Sequence, residues 1–232
     1  MKLGRVIART KIIASALIGL GIITVPLSAS ALTIDINTYV AGSPASGNAT
    51  VATLTLTQNG ANVDFNLSNS VNNLPGGIGD DAFISQLLFS YDTDPLLTSA
   101  SFLNFGGTQS IYQVHIDPSG TNADYDFYLE LEYPKSAADR FINGEFTTWT
   151  ISNVAINDFL GSVSGSGAGA LAMVHIQQVG AGSDGKDSLK YVGSVGTPPP
   201  PPDPQNPVPE PASLALMGIG LLSLGVMRKR KK

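Results

Sequence analysis

Ala52-Thr53-Leu54-Thr55-Leu56-Thr57-Gln58-Asn59-Gly60, followed by Val63-Asp64-Phe65-Asn66-Leu67-Ser68, decides the fold. In both runs apolar and polar side chains alternate with a period of two. Only an extended strand places such residues on opposite faces, so each run reads as a half-buried strand. Asn59-Gly60 between them tolerates positive φ, which a tight hairpin needs. The stretch therefore predicts an antiparallel hairpin with its leucines, valine and phenylalanine turned to the core.

The same grammar continues on both sides. Phe83 to Tyr91 is denser in apolar residues and predicts a central strand. Ile111 to Ile116 predicts another, stopped by Asp117-Pro118-Ser119-Gly120. Tyr125 to Tyr133 is the cleanest alternation, with Phe127, Leu129, Leu131 and Tyr133 on one side and Asp126, Tyr128, Glu130 and Glu132 on a solvated acidic face. Glu145 to Ile151 carries the single tryptophan, Trp149. Ala170 to Val179 is apolar on both faces at its start and predicts a strand buried on both sides, and Leu189 to Val195 is a last strand. Lys135 to Phe141 and Val154 to Leu160 have room for a helical turn or two. The expected fold is all-β, an antiparallel β-sandwich of jelly-roll type with about eight to ten strands.

The two ends of the chain are different material. Met1 to Lys11 is basic, Ile12 to Leu27 is apolar, and Ala29-Ser30-Ala31 is a small-x-small site. Residues 1–31 thus read as a signal peptide helix cleaved by signal peptidase after Ala31. Residues 32–196 form the secreted domain. Residues 197–207 are a Pro-rich linker, expected as an extended spacer at ~3.1 Å per residue. Residues 208–232 comprise Val208-Pro209-Glu210-Pro211, an apolar run from Ala212 to Met227, and the basic stop Arg228, Lys229, Arg230, Lys231, Lys232. As a single helix the sixteen-residue run from Ala212 to Met227 would reach about 24 Å, short of a ~30 Å hydrocarbon core. That length suits a transient hold on a translocating chain better than a lasting anchor, with the basic end on the cytoplasmic side.

Charge follows the same division. The ends hold nine of the thirteen Lys and Arg, so the domain has four basic residues against sixteen acidic ones and a net charge near −12. Such a domain repels nucleic acid, and no nucleic-acid partner is expected. The absence of cysteine leaves the core alone to hold the fold and excludes thiolate chemistry.

Chemistry-bearing residues are few. His115 and His175 each sit in a predicted strand among apolar neighbours and read as structural. Gly165-Ser166-Gly167 lies in a Gly/Ser loop with no helix after it, which is not a nucleophile elbow. Glu130/Glu132, Asp80/Asp81 and Asp92/Asp94 would serve glycoside hydrolysis only if a pair faced each other across a cleft. The domain is accordingly expected not to be an enzyme and to need no cofactor. Calcium is the one metal with a candidate loop. Asp117, Asn122, Asp124 and Asp126 put several oxygens in one segment, though without EF-hand spacing, and Gly182 to Asp187 is a poorer second.

The tail resembles the PEP-CTERM sorting signal of Gram-negative bacteria across motif, apolar helix and basic end together. The resemblance implies an exosortase-like sorting enzyme as partner, Pro209, Glu210 and Pro211 as its recognition motif, and delivery to the cell surface or extracellular matrix after C-terminal processing. It also implies a host that makes exopolysaccharide or biofilm. The leading expectation is an exported surface or matrix protein that binds or is embedded in exopolysaccharide, with Tyr112 and Tyr128 as exposed aromatic contacts. A secreted hydrolase acting on glycans and a permanently membrane-anchored envelope protein are the alternatives.

Overall fold

A computed structural model describes residues 30–118, 124–165, 168–180 and 187–195. The two terminal helices expected from the sequence lie outside these residues. Among the described residues no helix is long and apolar enough to cross a membrane.

The domain is all-β. Its strands are β1 (Ala31–Ser43), β2 (Ala52–Asn59), β3 (Asn62–Asn69), β4 (Phe83–Phe89), β5 (Phe102–Gly107), β6 (Gln113–Ile116) and β7 (Leu129–Glu132). They continue with β8 (Phe141–Ile142), β9 (Phe146–Ser152), β10 (Val163–Gly165), β11 (Ala168–Ala170), β12 (Ala172–Gln177) and β13 (Ser188–Val195). Hydrogen bonding runs without a break in the order β5-β9-β3-β2-β1-β13-β12-β4-β7-β6, with β8 beside β4. The pairings are antiparallel. In place of the expected sandwich of two packed sheets, eleven strands form one curled sheet, a half-barrel, and β10 and β11 pair with each other as a separate two-stranded ribbon. Right-handed strand twist accumulates over so many strands, and a long sheet buries its apolar face by curling on itself.

The deciding hairpin forms as the alternation requires. Ala52, Leu54 and Leu56 of β2 and Val63, Phe65 and Leu67 of β3 are buried, while the threonines are half-exposed. The turn sits one residue later than Asn59-Gly60. Asn59 pairs with Asn62, leaving Gly60 and Ala61 as the two-residue loop. Gly60 takes φ +61 at the first turn position, where a residue without Cβ is favoured.

The curl is closed by aromatic side chains. Phe65 stacks on Trp149 of β9, with ring centroids 5.0 Å apart and planes 9° apart. Both meet Phe89 of β4, from the far limb of the sheet, at 5.7 Å and 6.1 Å. Phe159, from a short 3-10 helix (Ile156–Phe159), completes the cluster against Phe65 at 5.1 Å. A short helix is therefore present within Val154 to Leu160, whereas Lys135 to Phe141 forms none.

β12 is buried on both faces, as its sequence predicts. Ala172, Val174 and Ile176 enter the main core, and Met173 turns outward to a second cluster with Leu88, Val192, Ala170, Tyr125 and Phe127. That second cluster also corrects the reading of Tyr125 to Tyr133. Regular strand is confined to Leu129–Glu132. Tyr125 and Phe127 join the outer cluster, while Leu129, Leu131 and Tyr133 join the main one. The period of two breaks between Phe127 and Leu129 because two different apolar surfaces compete for the same run.

β13, the last described strand, lies in the middle of the sheet. It pairs with β1 on one side and β12 on the other, and Val195 is opposite Ile34.

Candidate functional site

The two ends of the sheet belong to consecutive strands. Among the described residues β5 pairs only with β9 and β6 only with β7, and no ladder joins β5 to β6. The half-barrel is therefore open along a seam between them. A hollow of about 270 Å³ lies there, lined from both sides by Phe102 and Phe105 of β5 and by Tyr112, Gln113 and Val114 at β6. Gly107, at φ +107, lets the chain leave β5 against the backbone of Phe146 and Thr147, where a Cβ would collide. Tyr112 is 71% exposed, and its backbone N–H donates to Glu132 O at 2.8 Å. It also borders a second hollow of about 330 Å³, together with Glu132, Tyr133, Pro134, Lys135 and Ser136.

Beside that second hollow a polar row crosses the outer face of the sheet. Strand register aligns Lys190, His175, Gln86, Glu132 and Gln113 on β13, β12, β4, β7 and β6. Glu130 lies two residues along β7 from Glu132, on the same side of the strand, and is paired with His115. Gln86 is the hub. Its Nε2 donates to Glu130 Oε1 and, at 3.4 Å, to Glu132 Oε1. Its Oε1 therefore faces His175 Nδ1, 3.0 Å away, which must carry the proton. His115 Nε2 is 3.7 Å from Glu132 Oε2.

Burial sets the electrostatics. Desolvation lowers the His175 pKa to about 4, and the charges of Lys190 and Lys135 push the same way. Desolvation raises the Glu130 carboxyl above its ordinary value, with Glu132 adding to the rise and His115, Lys135 and the Gln86 hydrogen bond opposing it. His175 is thus a neutral donor at pH 7. The unfolded state, with the ordinary histidine pKa near 6.5, takes up a proton that the folded state refuses. This contribution to stability is present above pH 6.5 and falls away as pH drops toward 4, by up to about 2–3 kcal/mol. Glu130 acts with the opposite sign, since its raised pKa makes acid favour the folded form. In urea titrations between pH 7 and 4.5, His175→Gln is expected to lose less stability than the wild type. Parallel losses would contradict the buried neutral imidazole.

The sequence-predicted site residues are distributed as follows. Glu130 is corrected: it is only 8% exposed, not solvated, because β4 and β6 flank β7 on both sides. Tyr128 is also corrected, since it is half-buried against the core with its ring 5.8 Å from that of Tyr91. Tyr112 is exposed as expected. Asp80 and Asp81 line a different groove with Arg140. Asp92 and Asp94 flank Tyr91, whose hydroxyl is pushed up to about 12 by burial and then by Asp158, Asp94 and Asp92. Glu130 and Glu132 share one strand and are bridged by Gln86 rather than opposed across a cleft.

Of the calcium loop, Asn122 lies outside the described residues. Asp117 and Asp124 take φ of 53° and 66°, the left-handed values that short turn-forming residues tolerate. Among the described residues no three His, Cys, Asp or Glu converge as a metal site requires. Most of the poorer loop, Gly182 to Asp187, is outside the described residues as well. Gln86 and Phe105 carried no motif. The only trace of Gln86 in the sequence is that it and Ser85 interrupt an otherwise apolar strand.

Ala31 is the exposed first residue of β1, paired with Thr57, and Ser30 O accepts from Gln58 N. Ala29, Pro209, Glu210, Pro211, Arg228, Lys229, Arg230, Lys231 and Lys232 lie outside the described residues, and there comparison decides. Residues 207–231 match the family model described as the PEP-CTERM protein-sorting motif. The tail is a sorting signal. A PEP-CTERM tail indicates export, processing by an exosortase-like enzyme, and a destination at the cell surface or outside the cell. Searches of curated proteins and of solved structures returned no match.

Proposed function

We propose that this is a non-enzymatic surface or matrix protein, delivered by an exosortase-like system and displayed by its β domain within exopolysaccharide. The observation that carries the reading is the match of residues 207–231 to a protein-sorting motif. In this reading Pro209, Glu210 and Pro211 are recognised, the apolar run is held transiently in the inner membrane, and Arg228 to Lys232 stop translocation. The Pro-rich linker then spaces the domain from its attachment.

Hydrolysis of glycans has one observation in its favour: Glu130, with a raised pKa, stands beside Glu132. Against it, the Gln86 amide donates to both carboxylates and occupies the space a scissile bond would need between acid and nucleophile. His175 donates to Gln86, and His115 faces Glu132 rather than a serine.

The test is the intact mass of the exported protein from cells with and without the sorting enzyme. The expected product lacks the basic tail only when the enzyme is present. A chain that still ends at Lys232 in the inner membrane would establish the permanent anchor instead.

A further inference from the structure

We propose that the β5–β6 seam binds an internal stretch of a linear polysaccharide free of carboxylate and sulfate groups, laid across Tyr112 from one hollow to the other. The inference rests on the exopolysaccharide part of the reading above and is independent of how the protein is delivered.

An open seam between two strand edges would first suggest an added peptide strand. β5 is poorly built for that. Its pairing with β9 slips between Leu103 and Gly106, and Asn104 takes φ 52. Such a bulge breaks the regular row of backbone donors and acceptors that strand addition needs. β6 offers only four residues, Gln113–Ile116. What the seam presents is side chains.

Those side chains have a definite chemistry. Phe105 is 51% exposed and Tyr112 is 71% exposed. Pyranose rings offer apolar C–H faces rimmed by hydroxyls. An exposed aromatic ring stacks on the face, and neighbouring polar groups take the rim. The neighbours here supply both roles: Gln113, Glu132 and Ser136 accept, and Gln113, Lys135 and Ser136 donate. Hollows of about 330 and 270 Å³ share Tyr112 as a border. That arrangement suits a chain passing over the ring rather than a sugar end held in a closed pocket. The domain's charge near −12 excludes polyanions, because each uronate or sulfate would meet a like-signed field.

Electrophoresis of the exported protein through native gels tests this, with hydroxyethyl cellulose, dextran or polygalacturonate cast into the gel. Retardation is expected in at least one neutral gel and not in polygalacturonate. Tyr112→Ala should weaken it about tenfold, or about 1.4 kcal/mol, while Tyr112→Phe keeps the ring and most of the binding. The Trp149 emission of each variant reports whether the core is intact. Three results would overturn the proposal: no retardation in any neutral gel, a folded Tyr112→Ala that migrates as wild type, or stronger retardation by polygalacturonate. None of them touches the tail-dependent mass change that tests delivery.

Discussion

Replacing Trp149 by alanine lowers the stability of the domain by about 3–5 kcal/mol. The side chain is 1% exposed, stacked on Phe65 and set against Phe89 from the opposite limb of the sheet. Its removal opens a cavity where the curl closes, and the rigid strands on both sides cannot collapse to fill it. A loss of this size is a large fraction of a typical folding free energy, so it appears as a marked fall in urea midpoint by circular dichroism. Trp149→Phe provides the contrast. It keeps a ring against Phe65 and removes an indole N–H that has no hydrogen-bond partner among the described residues. Its cost is expected to be well below that of alanine. A Trp149→Ala protein within about 1 kcal/mol of wild type would show that the two limbs are not joined through this stack.

Changing Pro209, Glu210 and Pro211 together to alanine abolishes sorting. The domain still folds, because every described core residue precedes the tail. In the proposed reading the apolar run and the basic stop remain, so the chain is expected to cross and halt in the inner membrane. Without its recognition motif it stays there with Lys232 intact. Cell fractionation followed by mass measurement reads this directly, and full release of the triple variant would remove the motif from the mechanism. Neutralising Arg228 to Lys232 should fail differently, through loss of the stop rather than of recognition.

Much of the fold was legible because strand alternation is a local signal. Leu54, Leu56, Val63, Phe65 and Leu67 announce their faces within two residues of themselves. β12 announces burial on both sides by having no polar face at its start. What alternation cannot carry is which sheet a strand joins. One curled sheet and two packed sheets ask the same pattern of each strand, and they differ only in contacts such as Phe65 with Phe89, far apart in the chain. Tyr125 to Tyr133 misled for a related reason, since Tyr125 and Phe127 are drawn to a second apolar cluster that only tertiary structure creates, while Leu129, Leu131 and Tyr133 enter the main one.

The site was legible to a lesser degree. Tyr112 stands out as an aromatic at a strand start. The seam beside it, however, exists only because β5 and β6, neighbours in sequence, end up at opposite ends of the hydrogen-bonded order. Gln86 was invisible for the opposite reason. A glutamine in an apolar strand gives no hint that three ionisable side chains from two neighbouring strands will converge on its amide. The sorting tail was readable as a family resemblance because its signature lies in one continuous stretch of sequence, residues 207–231.

The position of β13 sets the timetable of the protein's birth. The chain crosses the membrane from its N-terminal end, so β13 is the last strand to emerge, yet it belongs between β1 and β12. Until it arrives, the nascent sheet is two unjoined halves, β5-β9-β3-β2-β1 and β12-β4-β7-β6, each with a bare inner edge. The Pro-rich segment, residues 197–207, lies between β13 and the end of the sorting motif. Residues 207–231 follow β13 in the chain, so β13 leaves the membrane before the sorting tail does. Processing of the tail thus comes after the keystone strand has left the membrane and can be set between its two neighbours.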